Sequence, residues 1–245
     1  MLSNILVNGI IAGSLYALLA VGFAPIFSVA GIINIAHTAF YMVGAFLIYI
    51  ALDHFNWHIL PTIPVVIFLV VLLGILCFKV LFNRVREHMT TVLIMSIAVA
   101  MVFQELLLHQ FGGTYRSIPP LLRGSIEIFG TRTTQQHLLA VIVTGITLAG
   151  LWLWLAGTKI GNAIRAVSQD KETANLMGIN VPRIYLIVMA VSVGLAGVAA
   201  VMMGPIFMIN PRCELGYFVR GDRAAESGAR RFFRVIGIRR RVGKP

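Results

Sequence analysis

Apolar runs separated by short polar intervals fill the chain to about residue 211. Several approach or exceed the ~20 residues that a helix needs to cross ~30 Å of hydrocarbon. The first runs from about Ile5 to Val29. Pro25 removes a backbone donor and crowds the preceding turn, so this helix is expected to kink or end near Val21. Ala30 to His37 is a break without Lys or Arg, and the apolar segment after it, Thr38 to Leu52, is about 15 residues long, short for a full span. A broken or tilted helix pair with backbone facing a cavity accounts for both features.

Asp53 to Leu60 is a short connection carrying Trp57 at an interfacial position, and Pro61 to Phe82 is a clean span. Thr90 to Phe111 follows, with Gln104 and Glu105 in its last third. Residues 112–136, with Gly112-Gly113 and Pro119-Pro120, read as a loop. His137 to Ala156 spans again and closes on Trp152 and Trp154 near an interface, and Ile184 to Ile209 is the last apolar run. Period-2 alternation is absent, which argues against a β-barrel. The pattern predicts an all-α polytopic membrane protein with about six transmembrane or broken helices, residues 1–211 forming one membrane domain.

The longest polar interval between two such runs is Arg165 to Arg183, inside a loop at 157–183. Asp170, Glu172, Ala174 and Gly178 suggest a short helix there. Its acids fall in the first turn, where they suit the helix dipole, and Gly178 falls where a helix C-terminus often turns. Pro182 hinders direct continuation into the last span. Two readings stay open: a lever that docks in a partner's groove, or an ordinary interfacial helix.

Composition agrees with the pattern: 58% hydrophobic, 12% charged and a mean hydropathy of +0.89 exclude an ordinary soluble domain. The start, MLSNILVNGI, lacks a basic n-region and a small-residue cleavage site, so the first run reads as a retained span. Cys77 and Cys213 argue neither a disulfide nor a metal site. The net charge of +11 is uneven. Residues 1–211 hold 10 Lys/Arg against 6 Asp/Glu, and residues 212–245 hold 10 against 3. The high pI thus belongs mainly to a short tail, and no nucleic-acid partner is expected.

Orientation follows from Lys and Arg in the short loops. The connection at 83–89 with Lys79 has three and 157–183 has four (Lys159, Arg165, Lys171, Arg183). On the other side, 53–60 has none and 112–136 has three. Seven against three puts the 157–183 loop in the cytoplasm. The last span then delivers the basic tail, 212–245, to the side that the same rule disfavours. That tail is expected to be a disordered segment, read either as the product of a frameshift near Arg212 or as a polybasic stretch held at anionic lipid.

No phosphate-cradling Gly-x-x-x-x-Gly-Lys-Ser/Thr, metal-ligand spacing or hydrolase elbow is present. No catalytic residue, metal ligand or cofactor of the chain's own is expected. Polar groups at membrane depth are the informative ones. Asn34 and His37 either line a substrate path or satisfy the backbone at the break. Glu105 lies about 9 Å inside its helix end, where it either acts in transport or pairs with His109 and reaches the interface. Gly9-x-x-x-Gly13 is a small-residue face open to another helix, or a feature of a plain span.

Glu172-Thr173-Ala174-x-x-x-Gly178, between two spans, resembles the Glu-Ala-Ala-x-x-x-Gly loop of ABC-importer permeases. Gly13–Leu18, Ile33–His37 with Gly44-Ala45, Phe111–Gly113 with Arg116 and Pro119, and Ile164–Asp170 narrow it further. With Gly194-Leu195-Ala196-Gly197 and Gly204-Pro205 they are similar to branched-chain amino acid permeases of the LivH type, in order from residue 5 to about 210. The resemblance implies a pore-forming subunit that pairs with a second permease in a bacterial inner membrane. Cytoplasmic ATPases, which consume the ATP, would grip the loop through Arg165, Asp170, Glu172, Ala174 and Gly178. An external binding protein would deliver leucine, isoleucine, valine or a related amide. Gly9, Gly13, Gly194 and Gly197 are the expected helix-packing positions. Thr38, Ala24-Pro25, Ser28 and Thr173 depart from the family pattern, as does everything after Pro211. Two other readings compete: an inactive truncated permease, and a stand-alone channel or secondary carrier using His37 and Glu105.

Overall fold

The computed structural model describes residues 2–30, 34–54, 58–82, 84, 89–122, 124–128 and 131–210. Expectations about the break at 31–33, Trp57, most of the 83–88 connection, Arg123 and the 212–245 tail with Cys213 lie outside these residues. Among the described residues six helices are long and apolar enough to cross a membrane. They are α1 (Leu2–Ala30), α2 (Ala36–Asp53), α3 (Ile59–Cys77, prolonged by a π-helical turn, Phe78–Phe82), α4 (Met89–Phe111), α5 (Gln135–Gly157) and α8 (Val181–Met203). The protein is an all-α polytopic membrane protein. Two short helices, α6 (Lys159–Gln169) and α7 (Lys171–Leu176), lie between α5 and α8.

Three expectations need correction. Of the two outcomes expected at Pro25, a kink or an end, the end near Val21 is not found: α1 continues as helix through Pro25 to Ala30. Lipid offers the backbone no alternative partner, and a neighbouring hydroxyl helps to satisfy the turn that proline disrupts. Here Ser192 of α8 donates to the Gly22 carbonyl, next to the one that Pro25 leaves without a donor. Residues 112–136 are not all loop, because Ser125–Ile128 (β1) and Thr131–Thr134 (β2) pair antiparallel with Ser125 opposite Thr134. Finally, α8 stops at Met203, earlier than expected, and Ile209 instead pairs with Arg116 through backbone bonds of 2.9 and 2.8 Å.

α8 is the centre of the bundle and packs against α1, α2 and α3. Small residues set those crossings, because close backbone approach replaces the hydrophobic driving force inside lipid. A Cβ on Gly194 or Gly197 would meet Val71 or Ile67 of α3 at 3.4 Å. A Cβ on Gly44 of α2 would lie 3.1 Å from Ala200 Cβ, and one on Gly74 of α3 would lie 2.7 Å from the branched side chain of Val193. Gly9 and Gly13 differ: among the described residues, no other element lies within 4 Å of a Cβ built on either. α4 packs mainly on α2, where Phe103 meets Phe40 at 5.8 Å and Phe111 meets Phe46 at 5.1 Å between ring centroids.

Three buried hydroxyls inside the spans bond to the preceding turn of their own helices, as the lack of water in hydrocarbon requires. Thr62 donates to His58, Ser96 to Leu93 and Thr144 to Ala140, each to a backbone carbonyl at 2.7–2.9 Å. At the end opposite the 157–183 loop, Arg116 pairs with Ile209 by its backbone and with α2 by its side chain. Its guanidinium donates to Tyr49 Oη at 3.1 Å and stacks over that ring, and Tyr49 donates to Asp53 at 3.0 Å.

Candidate functional site

Two places carry polar groups with specific geometry: the α6–α7 unit and a buried cluster at mid-bundle. In the first, Thr158 caps α6, its Oγ1 accepting from Gly161 N at 3.0 Å. Gly161, Ile164 and Val167 repeat every third residue and are buried, while Asn162, Arg165 and Gln169 face outward. This amphipathic pattern lays α6 along the bundle end, against α1, α5 and α8. Gly161 sits where the chain reverses from α5, so close that a Cβ there would lie 2.1 Å from the Leu155 carbonyl oxygen.

α7 begins at Asp170, whose carboxylate accepts from the backbone N–H of Glu172 at 2.9 Å and of Thr173 at 3.2 Å. The Thr173 hydroxyl adds a bond of 2.5 Å. The helix ends in a Schellman closure: Gly178 at φ +83° donates to the Asn175 carbonyl and Ile179 to that of Ala174, both at 3.0 Å. Gly178 is there because few other residues take that backbone conformation without strain. Asn180 then caps α8 by accepting from Arg183 N at 3.1 Å, with Pro182 in the first turn, where a missing N–H costs nothing. Lys171 lies 5.9 Å from the centroid of Tyr185, joining α7 to α8.

The expected coupling residues therefore form one compact unit with divided duties. Asp170 and Gly178 shape α7, Ala174 anchors it inward, and Arg165 and Glu172 are exposed. Leu176 and Met177 were not singled out from the sequence, yet they are 86% and 79% exposed at the tip. Their signal was available: two large apolar residues directly before the glycine that ends a polar helix.

Hydrogen bonds from the Thr173 hydroxyl, then from the Thr173 and Glu172 amides, hold the Asp170 carboxyl below its ordinary value. A depressed carboxyl stabilises the helix start fully above the ordinary carboxylate range and loses that contribution as pH falls through the lowered value. Amide exchange at Glu172 and Thr173, corrected for intrinsic rates, is expected to stay constant from about pH 8 to 5 and to accelerate below about pH 4. Asp170→Ala should remove the pH dependence, and Asp170→Asn should keep most of the protection.

In the second place, Asn34 and His37 are 3% and 2% exposed and meet one face of α8. Asn34 accepts from Ala36 N at 3.1 Å at the start of α2 and directs its amide to Met189 Sδ at 3.7 Å. Ile35 N donates to Ser96 Oγ of α4 at 3.2 Å. His37 Nδ1 lies 3.1 Å from Ser192 Oγ, and Ser192 in turn bonds the Gly22 carbonyl. The other side of the ring rests against Gly22, where a Cβ would meet Cε1 and Nε2 at 2.7 Å. The Leu19 carbonyl is the backbone acceptor beside the ring, but Nε2 completes no bond within hydrogen-bond geometry. α1, α2 and α8 are thus pinned at one point, and α8 leads straight back to α7.

Glu105 faces outward from α4 and forms no pair with His109, so the expected pairing is not made. Among the described residues no group of three or more His, Cys, Asp or Glu could hold a metal ion.

The family described as branched-chain amino acid transport system, permease component, matches residues 5–218. The chain is 29% identical to the high-affinity branched-chain amino acid transport system permease protein BraD of Pseudomonas aeruginosa, over 84% of this chain and 72% of that one. It is 26% identical to the corresponding LivH protein of Salmonella typhimurium, over 83% and 71%. A probable LivH of Methanocaldococcus jannaschii is also 26% identical, over 80% and 64%. No solved structure matches the chain.

Proposed function

Because the chain belongs to the branched-chain amino acid transport system permease family, we propose that it is the membrane-spanning permease subunit of an ATP-driven importer. Its substrates are branched-chain amino acids or related small amides, and it sits in a bacterial inner membrane beside a second permease. Cytoplasmic ATPase subunits hold the α6–α7 unit, and an external binding protein supplies the substrate. The observation that carries this reading is the tip of α7. Leu176 and Met177 are large apolar side chains left 86% and 79% exposed at the end of the short polar helix α7, outside the spans. Exposed apolar anchors ringed by polar groups are what a docking groove buries.

The buried cluster supplies the other half of the mechanism. α6 packs on α1 and α8, the same two helices joined by Gly22 and Ser192. Displacing α6–α7 on ATPase closure tilts α8 and opens the α1–α2–α8 joint. Asn34 and His37 then border the substrate path, from which they are withdrawn while the joint is closed. The test is leucine accumulation in proteoliposomes holding both permeases, the ATPases and the binding protein. Accumulation that requires ATP and all the partner chains is expected. Equal accumulation by the chain alone would instead establish a stand-alone carrier.

A further inference from the structure

The outward face of α4 carries an inference that rests on the permease reading and goes beyond it. Phe103 and Phe111 turn inward to α2, which leaves Ile94, Ala98, Met101, Glu105 and His109 along the opposite face. Glu105 stands in the span Thr90–Phe111, about 9 Å inside its Phe111 end at 1.5 Å per residue. It is exposed, and no described residue bonds to it or pairs with it. Hydrocarbon makes a carboxylate at that depth costly, so such groups face protein or water rather than lipid.

Among the described residues no other acid lies well inside a span. On α3 the exposed large side chains are apolar, Phe68, Leu69, Leu72 and Leu76 among them. Those surfaces suit acyl chains. We propose that the α4 face is the contact with a second membrane-spanning chain. That chain presents a cation or hydrogen-bond donor to Glu105, with Met101 and Val102 supplying the apolar contact around it. The carboxylate requires a donor, and neither lipid tails nor the described residues of this chain provide one. The pairing fixes the depth at which the two chains meet, the way polar groups set register between membrane helices.

The full chain, expressed in bacterial membranes with its partner chains, tests this with a photoreactive benzoylphenylalanine at Met101 or, as a comparison, at Leu72. The Met101 probe is expected to cross-link a second membrane chain through a peptide carrying Lys, Arg or His, while the Leu72 probe labels lipid. Glu105→Gln should lower the Met101 yield by about threefold or more, the range of an interhelical polar contact. Glu105→Lys combined with an acid at the partner's cross-linked cation should restore it. Lipid labelling from both probes, cross-linking within the same chain, or a yield indifferent to Glu105→Gln would overturn the proposal. ATPase recovery from the same membranes separates the two ideas. ATPases present without the Met101 cross-link remove this contact alone, whereas the cross-link without ATPases removes the permease mechanism alone.

Discussion

Gly161→Ala is expected to cost transport more than any other single methyl group added to the chain. The new Cβ would lie 2.1 Å from the Leu155 carbonyl oxygen and 2.7 Å from its carbonyl carbon. These are backbone atoms of the last turns of α5, so no rotamer change relieves the collision. The corner between α5 and α6 must open, and with it go the Thr158 cap and the seating of Ile164 and Val167 on the bundle. Overpacking of this severity costs about 3 kcal/mol or more. The spans themselves remain intact, so the variant should insert normally and lose at least about tenfold in ATP-driven uptake, the weight of roughly 1.4 kcal/mol in coupling. Uptake measured beside the amount of inserted chain checks this. Normal uptake would mean that α6 need not sit where it does.

Gly22→Ala should have the next largest effect. Its methyl would meet the His37 ring at 2.7 Å and Leu195 Cβ at 3.3 Å. His37 cannot swing aside cheaply, because it is buried and held by Ser192. A loss of about 1–3 kcal/mol is expected, read as a lowered unfolding midpoint in detergent. The more telling quantity is the coupling. His37→Ala removes the obstacle, so the double variant should be more stable than the summed single effects predict, by about 1 kcal/mol or more. Strict additivity would contradict the packing of that joint.

What could be read from the sequence divides along a physical line. Hydropathy registers transfer into lipid one segment at a time, so the six long helices were legible, most boundaries falling within a few residues. The start and stop of α7 were legible too, because Asp170 and Gly178 act on neighbouring backbone. Joints between distant segments were not. Nothing local marks Gly22 as the seat of a histidine ring or Ser192 as the partner of a carbonyl 170 residues away. Pro25 misled in part: it leaves the Val21 carbonyl without a donor, yet the helix continues, and the adjacent Gly22 carbonyl takes a bond from a hydroxyl of α8. The β1–β2 hairpin escaped notice because its strands are only four residues each and sit among loop-forming residues. Gly9 and Gly13 show the converse, a clear local pattern with no close neighbour from another element among the described residues.

The central claim is that the α6–α7 unit is held and moved by another chain, and the tip of α7 tests it most directly. Leu176→Ser with Met177→Ser removes the two exposed apolar side chains and touches neither the Asp170 cap nor the Gly178 turn. Affinity of the purified chain for the ATPase subunits should fall about 30-fold, the loss of one interface hot spot of roughly 2 kcal/mol, with insertion unchanged. ATPase binding equal to that of the unaltered chain would contradict the account.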